Sequence, residues 1–369
     1  MQSTILHLID TTGPGGAEAV FIQLADKMRD RGFKSIVVIH GPGWVQEELI
    51  SRGIDPYVIP AKGSFALGFL YQLIRLVKIH QVSVIQSHLL GSNVYAAIAG
   101  LLTGVPVVAT YHGMVDVNPN ERFKTLKKKV MQWGIQHYVA VSQSLLENIR
   151  EQKLLDINKA SVIYNGVELS RFEVSPSGNI RESLGLPENA TLVGCLGNIR
   201  PAKAYNVLIE AAALLIPRYP QLHFIIAGDK KASLMETLDA QIDRLGIRDR
   251  FHFMGFMQNS AEFLLQMDLF ALSSSSEGFS IATIEAMAAR LPVVVTRCGG
   301  PEEIVTPDEN GLMVEPNSPE EFAKGLSQYI ESPDLRVKMA TAGKAHAAAV
   351  FSLGHMLDQY ETEYGRLIR

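Results

Sequence analysis

The sequence predicts an α/β protein made of two doubly wound domains, each built on a parallel sheet. Three observations carry this. The 369 residues exceed what one hydrophobic core usually organises. Short Val/Ile-rich runs alternate with helical patterns along the whole chain, which is the signature of parallel strands covered on both faces. A polar, turn-rich stretch, NGVELSRFEVSPSGN (165–179), interrupts that alternation near the middle.

Taken in order, the first series of strands is TILHLID (4–10), KSIVVIH (34–40), VSVIQSH (82–88), VPVVATYH (105–112), YVAVS (138–142) and SVIYNG (161–166). The second is TLVGCLG (191–197), LHFIIAG (222–228), RFHFMG (250–255), LFALSS (269–274), LPVVVT (291–296) and GLMVEP (311–316). The domains are therefore expected over 1–167 and 168–350, with a last helix from 351 to 369. In open sheets of this kind ligands bind beyond the carboxyl ends of the strands, so two such domains are expected to face a cleft that holds two substrates.

Composition narrows the function class. With 47% hydrophobic and 20% charged residues the chain is an ordinary globular protein. Its two cysteines, Cys195 and Cys298, cannot form a disulfide framework; both read as small hydrophobes in apolar strand-like runs, consistent with a reducing cytoplasm. The N-terminus lacks the pattern of a signal peptide, and no apolar run reaches the roughly 18 residues of a membrane span. The stretch SFALGFLYQLIRLVKIHQ (64–81) reads as a packed amphipathic helix rather than a membrane-surface one.

Charge is uneven. Residues 1–165 hold 16 Lys and Arg against 12 Asp and Glu, and the remainder holds 18 against 26. Much of the excess comes from ERFKTLKKKVMQWGIQH (121–137), with Lys124, Lys127, Lys128 and Lys129. It reads either as a solvated helix face or as a surface for anionic lipid or a phosphate-bearing acceptor. The pI of about 6.2 and the absence of aromatic interleaving exclude a nucleic-acid partner.

The strand ends hold the candidate site residues. After the first strand comes DTTGPGGAEAV, whose Gly13, Gly15 and Gly16 suit either a phosphate cradle at a helix start or a tight strand–helix turn. His88 and His112 each end a strand. His88 reads as structural, while His112, followed by Gly113, is placed to hydrogen-bond a sugar hydroxyl or phosphate. Arg200 and Lys203 in CLGNIRPAKAYN precede an amphipathic helix; they suit a diphosphate, or are two solvated loop cations.

The segment SSSSEGFSIATIEAMAARLPVVV (273–295) sets Glu277 and Glu285 eight positions apart, with Ser280 expected to begin a helix. Eight residues of helical rise span at most about 12 Å. Glycosidase carboxylate pairs lie roughly 5–9.5 Å apart, so an acid and base pair for hydrolysis is disfavoured. One elongated ligand with a diol at each end and phosphates between fits better, which is the shape of a nucleotide diphosphate sugar.

These residues resemble the retaining GT-B glycosyltransferases of glycosyltransferase family 4. The resemblance rests on Glu277-Gly278-Phe279 … Glu285-Ala286-Met287, GPGGAE (13–18), TYHG (110–113), YNGVELSRF (164–172), GNIRPAK (197–203), CGGPEEIV (298–305) and NGLMVEP (310–316), and it covers nearly the whole chain. It implies a GT-B fold of two Rossmann-like domains whose last helix returns to the N-terminal one. It also implies that Glu277, His112 and Lys203 are catalytic. Gly15, Gly16, Asn198, Arg200, Lys203, Gly278, Phe279, Ser280 and Glu285 would bind the donor. The implied activity moves a hexose from a UDP- or GDP-sugar, with retention and without metal or cofactor. The acceptor would be a glycan, lipid-linked or small-molecule hydroxyl in cell-surface polysaccharide assembly, with peripheral membrane contact through 121–137. No Asp-x-Asp occurs in the sequence.

Two positions depart from the family pattern: Asn198 stands where relatives carry Arg, and Ala204 where they carry Gly. A nucleotide-sugar epimerase of the same fold and a weakly active nucleotide-sugar-binding protein are the alternatives. A nicotinamide enzyme is not, because GPGGAE lacks the GxGxxG spacing.

Overall fold

The computed structural model describes residues 2–61, 66–113, 116, 123–153 and 155–368. The chain divides into two compact units, residues 1–166 with 354–369, and residues 167–353.

In the first unit seven strands form one parallel sheet: β1 Thr4–Ile9, β2 Lys34–Ile39, β3 Tyr57–Val58, β4 Val84–His88, β5 Val107–Tyr111, β6 His137–Ala140 and β7 Ala160–Val162, in the order β3-β2-β1-β4-β5-β6-β7. The two-residue β3 is absent from the sequence reading because it is too short to show a period. The second unit holds β8 Thr191–Leu196, β9 Leu222–Ala227, β10 Phe251–Gly255, β11 Leu269–Leu272, β12 Val293–Thr296 and β13 Leu312–Val314, in the order β10-β9-β8-β11-β12-β13. Every pairing in both sheets is parallel. The strand order reverses between β1 and β4 in one sheet and between β8 and β11 in the other. At such a switch point the loops leaving neighbouring strands diverge and leave room for a ligand.

The cores differ in chemistry. In the second sheet, Val293, Val294 and Val295 of β12 and Phe224, Ile225 and Ile226 of β9 are buried apolar runs. The first sheet buries His7 of β1, Gln86, Ser87 and His88 of β4, and Thr110 of β5. Buried polar side chains are costly unless hydrogen-bonded; Gln86, Ser87, His88 and Thr110 pair with neighbouring side chains, whereas Nδ1 of His7 has no partner among the described residues.

The last helix is Leu353–Leu367. It begins two residues later than 351: Val167 N–H bonds to Phe351 O, and Leu353 N–H bonds to Val167 O, which ties residues 351–353 into the second unit. Residues 354–368 belong to the first unit, where Tyr360 and Tyr364, one helical turn apart, are fully buried.

Helix Leu67–Ile79 buries Phe69, Leu70, Leu73 and Val77 on one stripe, as a packed amphipathic helix does. The basic helix runs over Lys124–Gly134. Ser64, Phe65, Glu121 and Arg122 of the two predicted stretches lie outside the described residues. Among the described residues no helix is long and apolar enough to cross a membrane. One cysteine departs from expectation. Cys195 is buried in β8, but Cys298 is half-buried and lies past the end of β12, in a loop rather than an apolar strand.

Candidate functional site

Most of the predicted site residues fall in the second unit, at the carboxyl ends of β8 and β11. The loop after β8 runs from Gly197 through a short 3-10 turn, Pro201–Lys203, into helix Tyr205–Leu215. Lys203 turns back towards Gly197, whose φ of 158° is one that side-chain-bearing residues rarely adopt. The Lys203 ammonium donates to Glu277 Oε1 at 2.6 Å, and the two side chains are 20% and 14% exposed. Residues 74 positions apart in the chain thus form one charged pair.

The serines before Glu277 explain that meeting. Ser273 Oγ donates to Lys203 O at 2.9 Å and Ser275 N–H donates to Ala202 O at 2.8 Å, which staples one loop to the other. Ser274 Oγ donates to Glu277 Oε1 at 2.7 Å. The small polar run is therefore a hydrogen-bonded hem between two strand-end loops. Nothing in its sequence alone reveals its partners.

A second clamp comes from CGG at 298–300. Glu277 N–H bonds to Cys298 O and Gly300 N–H bonds to Glu277 O, both at 3.0 Å. A Cβ on Gly300 would fall 2.6 Å from Phe279 Cα and 2.7 Å from Gly278 O, so backbone packs on backbone there. We expect Gly300→Ala to push residues 277–279 out of place. It should destabilise the second unit by about 1–3 kcal/mol and lower kcat as well. Calorimetry and steady-state kinetics check this; unchanged stability would show that the loops can part without cost.

Beyond the clamp, Phe279 is buried and packs edge-on against Phe351 with ring centroids 5.7 Å apart. Ser280 caps helix Ile281–Ala288, as expected, although its hydroxyl accepts from Thr283 Oγ1 rather than from a backbone amide. Glu285, in the second turn, is held from outside its helix. Ser260 Oγ donates to Glu285 Oε1 at 2.7 Å, and Arg171 Nη1 lies 4.0 Å from the same oxygen. Burial raises its pKa above the usual glutamate range, and Ser260 and Arg171 oppose that rise.

The two departures have local explanations. Asn198 Oδ1 accepts the Asp229 N–H at 2.9 Å, so it braces the loop after β9. Arg200 is exposed at the start of the 3-10 turn. Ala204 takes φ 46° and ψ 43°, the left-handed region that costs a side-chain-bearing residue about 1–2 kcal/mol and a glycine almost nothing.

The other candidates lie in the first unit. Gly15 caps helix Gly16–Asp30, and the Glu18 carboxylate folds back over it: a Cβ on Gly15 would meet Glu18 Oε2 at 2.3 Å. A carboxylate already sits at this helix start. Half-buried Asp10 and buried Asp116, unnoticed in the sequence, lie nearby with pKa values pushed up to about 6 by desolvation. These acids make the glycine loop a poorer phosphate cradle than a site for hydroxyl groups. Asp116 accepts His112 N–H at 2.8 Å and Leu90 N–H at 3.1 Å, binding the two loops after β4 and β5 together. His112 and His88 are not independent: His88 Nδ1 and His112 Nε2 are 2.8 Å apart, and burial holds both rings far below the ordinary histidine range.

Comparison with known proteins bears on the family and the fold. The family model for Glycosyltransferase Family 4 matches residues 14–171 and that for Glycosyl transferases group 1 matches residues 177–346. The D-inositol 3-phosphate glycosyltransferase of Rhodococcus opacus is 28% identical over 94% of this chain and 85% of its own length. That of Mycolicibacterium gilvum is 28% identical over 96% of this chain and 81% of its own. Among solved structures, Anabaena HepE in complex with UDP and glucose superposes with a TM-score of 0.89 and 26% identity, over 99% of this chain and 100% of that one. Sucrose-phosphate synthase from Thermosynechococcus elongatus shares the fold at a TM-score of 0.81 and 18% identity, over 100% of this chain and 99% of that one. With two parallel-sheet α/β units and both family models matching in succession, the chain belongs to the family 4, group 1 glycosyltransferases of GT-B fold.

Proposed function

We propose that this glycosyltransferase moves a hexose from a UDP-sugar to an acceptor hydroxyl with retention of anomeric configuration. The observation that carries the reading is the Lys203–Glu277 pair at the β8 and β11 strand ends, with Glu285 held eight residues further on. Lys203, Arg200 and the first amides of helix Ile281–Ala288 meet the diphosphate; Asn198 braces their loop. As the sugar–phosphate bond breaks, negative charge grows on the leaving diphosphate, and a preformed cation there stabilises it without a metal ion. Glu277, with Gly278, Phe279 and Ser280 shaping its turn, accepts hydrogen bonds from the donor sugar, and Glu285 accepts them from the ribose diol. From the family resemblance, His112 is assigned to the transferred sugar and Gly15 and Gly16 to the phosphates and acceptor.

UDP is preferred to GDP because HepE, a relative at 26% identity, was crystallised with UDP and with UDP-glucose. The acceptor is a polyhydroxylated molecule, free or on a glycan or lipid; the curated relatives named for inositol 3-phosphate favour a small one. A thermal-shift panel of UDP- and GDP-sugars, followed by nucleotide release with and without acceptor, tests the reading. Glu277→Ala should abolish acceptor-dependent release, and an unchanged rate would point to a binding protein instead. Release of an epimerised nucleotide sugar without acceptor would point to an epimerase.

The raised pKa of Glu285 makes a further expectation. A ribose-binding carboxylate must be ionised, so its affinity is present above the folded pKa and is lost as pH falls through it. The donor KM should therefore rise on acidification, beginning at a higher pH than for an ordinary glutamate, while Glu285→Gln should show a higher KM that no longer follows pH. An identical pH profile in both proteins would remove Glu285 from the ribose.

Membrane contact belongs to the same proposal. Helix Lys124–Gly134 carries four lysines and exposes Leu126 and Trp133, with exposed Phe123 just before it. Cations beside exposed apolar side chains suit an anionic bilayer surface. Flotation with anionic vesicles should weaken when Lys127–Lys129 are replaced.

A further inference from the structure

The polar layer buried in the first sheet is a directed hydrogen-bond chain that ends at His112. Strand alternation puts Gln86 and His88 on one face of β4, and the parallel register sets His88 beside Thr110 of β5. Tyr364 of the last helix donates its hydroxyl to Gln86 Oε1 at 2.9 Å. The amide nitrogen of Gln86 lies 2.9 Å from Thr110 Oγ1 and 3.2 Å from His88 Nε2. Thr110 Oγ1 is in turn 3.1 Å from the Tyr360 hydroxyl. His88 Nδ1 then meets His112 Nε2 at 2.8 Å, the two rings lying 21° from parallel.

The direction follows from donor and acceptor chemistry. An amide NH2 group donates and cannot accept, so His88 Nε2 must be the acceptor. A neutral imidazole that accepts at Nε2 carries its proton on Nδ1, and His88 Nδ1–H therefore donates to His112 Nε2. By the same rule His112 carries its proton on Nδ1. Reversing the Gln86 amide would reverse every later link; the Ser87 carbonyl, which can only accept and lies 3.3 Å from the amide nitrogen, favours the orientation observed, and the Tyr364 hydroxyl then donates to Oε1.

We propose that Tyr364, Gln86 and His88 are positioning residues that hold His112 in its Nδ1–H tautomer, so that the ring presents a hydrogen-bond donor on its free side. The last helix thereby sets the donor character of a side chain two strands away. Whether that proton serves the transferred sugar rests on the role given to His112 above; the tautomer itself does not.

Nitrogen-15 NMR of histidine-labelled full-length protein reads the ring nitrogens directly. His112 should show a protonated Nδ1 and an unprotonated Nε2 in the wild type. In Gln86→Leu and Tyr364→Phe the Nε2–H form should become populated. With it, kcat should fall by about three- to tenfold at little change in donor KM, because only the direction of one hydrogen bond changes. Tyr364→Phe keeps the packed ring and so remains readable if Gln86→Leu does not fold. A wild-type His112 protonated on Nε2, or shifts identical to wild type in the variants that fold, would overturn the relay. His112→Ala with unchanged kcat would instead remove His112 from transfer and leave the tautomer result standing.

Discussion

Lys203→Ala should lower kcat for sugar transfer by about 10²–10³-fold, the size found when one preorganised charge donor is removed from a developing anion. The ammonium lies 2.6 Å from Glu277 Oε1 and is the best-fixed cation at the β8 end, whereas Arg200 is exposed. Stability should change little, because Glu277 keeps the Ser274 hydroxyl as a donor and both side chains retain some solvent contact. Glu277→Ala should cost a similar factor, and the double variant should cost much less than the product of the two. Residues that act as a unit are non-additive, since removing either partner already frees the other to move. Lys203→Arg should not fully restore the rate, as a planar fork does not place its charge where the lysine's single ammonium sits against Glu277. A loss below fivefold for Lys203→Ala at saturating donor would take the diphosphate away from this loop.

The second large effect is the acid lability of the first unit. Burial lowers His7 and His112 to about 3 and His40 to about 4, and drives His88 well below its ordinary value. These rings are neutral when folded but take up protons in the unfolded chain below about pH 6.5, so each costs stability as the pH falls. Asp10 and Asp116 act in the opposite sense. Raised to about 6, they bind protons in the folded state first, and their stabilisation is complete below about pH 3.8 and lost as the pH rises through 6. His80 and His137 are lowered by burial as well, so the lowered histidines outnumber the two raised acids and the net effect is a loss of stability as the pH falls below about 6. The two tryptophans, Trp44 and Trp133, both lie in the first unit, so tryptophan fluorescence reports that unit alone. Its denaturation midpoint should fall steadily on acidification below pH 6.5. A midpoint that holds or rises would mean that the buried histidines are hydrated.

Much of the fold was open to sequence reading because parallel, doubly covered strands impose a simple pattern. The Val/Ile runs of β9 and β12 cannot face water on either side, and their spacing leaves room only for crossover helices. The positions of Lys203 and Glu277 in strand-end loops and of Ser280 at a helix start were legible too, since a tight turn and a helix start each favour particular residue types. β3 escaped because two residues carry no period. Cys298 was misplaced because an apolar run does not mark where its strand stops.

What the sequence determined by itself is which residues stand at the strand ends and hence what class of ligand they suit. What only the tertiary structure decided is which of them act together. Lys203 meets Glu277, Ser260 and Arg171 hold Glu285, and Tyr364 governs His112 through Gln86 and His88. A hydrogen bond reaches only about 3 Å, so whether two such groups meet depends on strand register and loop closure across as many as 278 residues of chain. Local spacing carries no record of that distance.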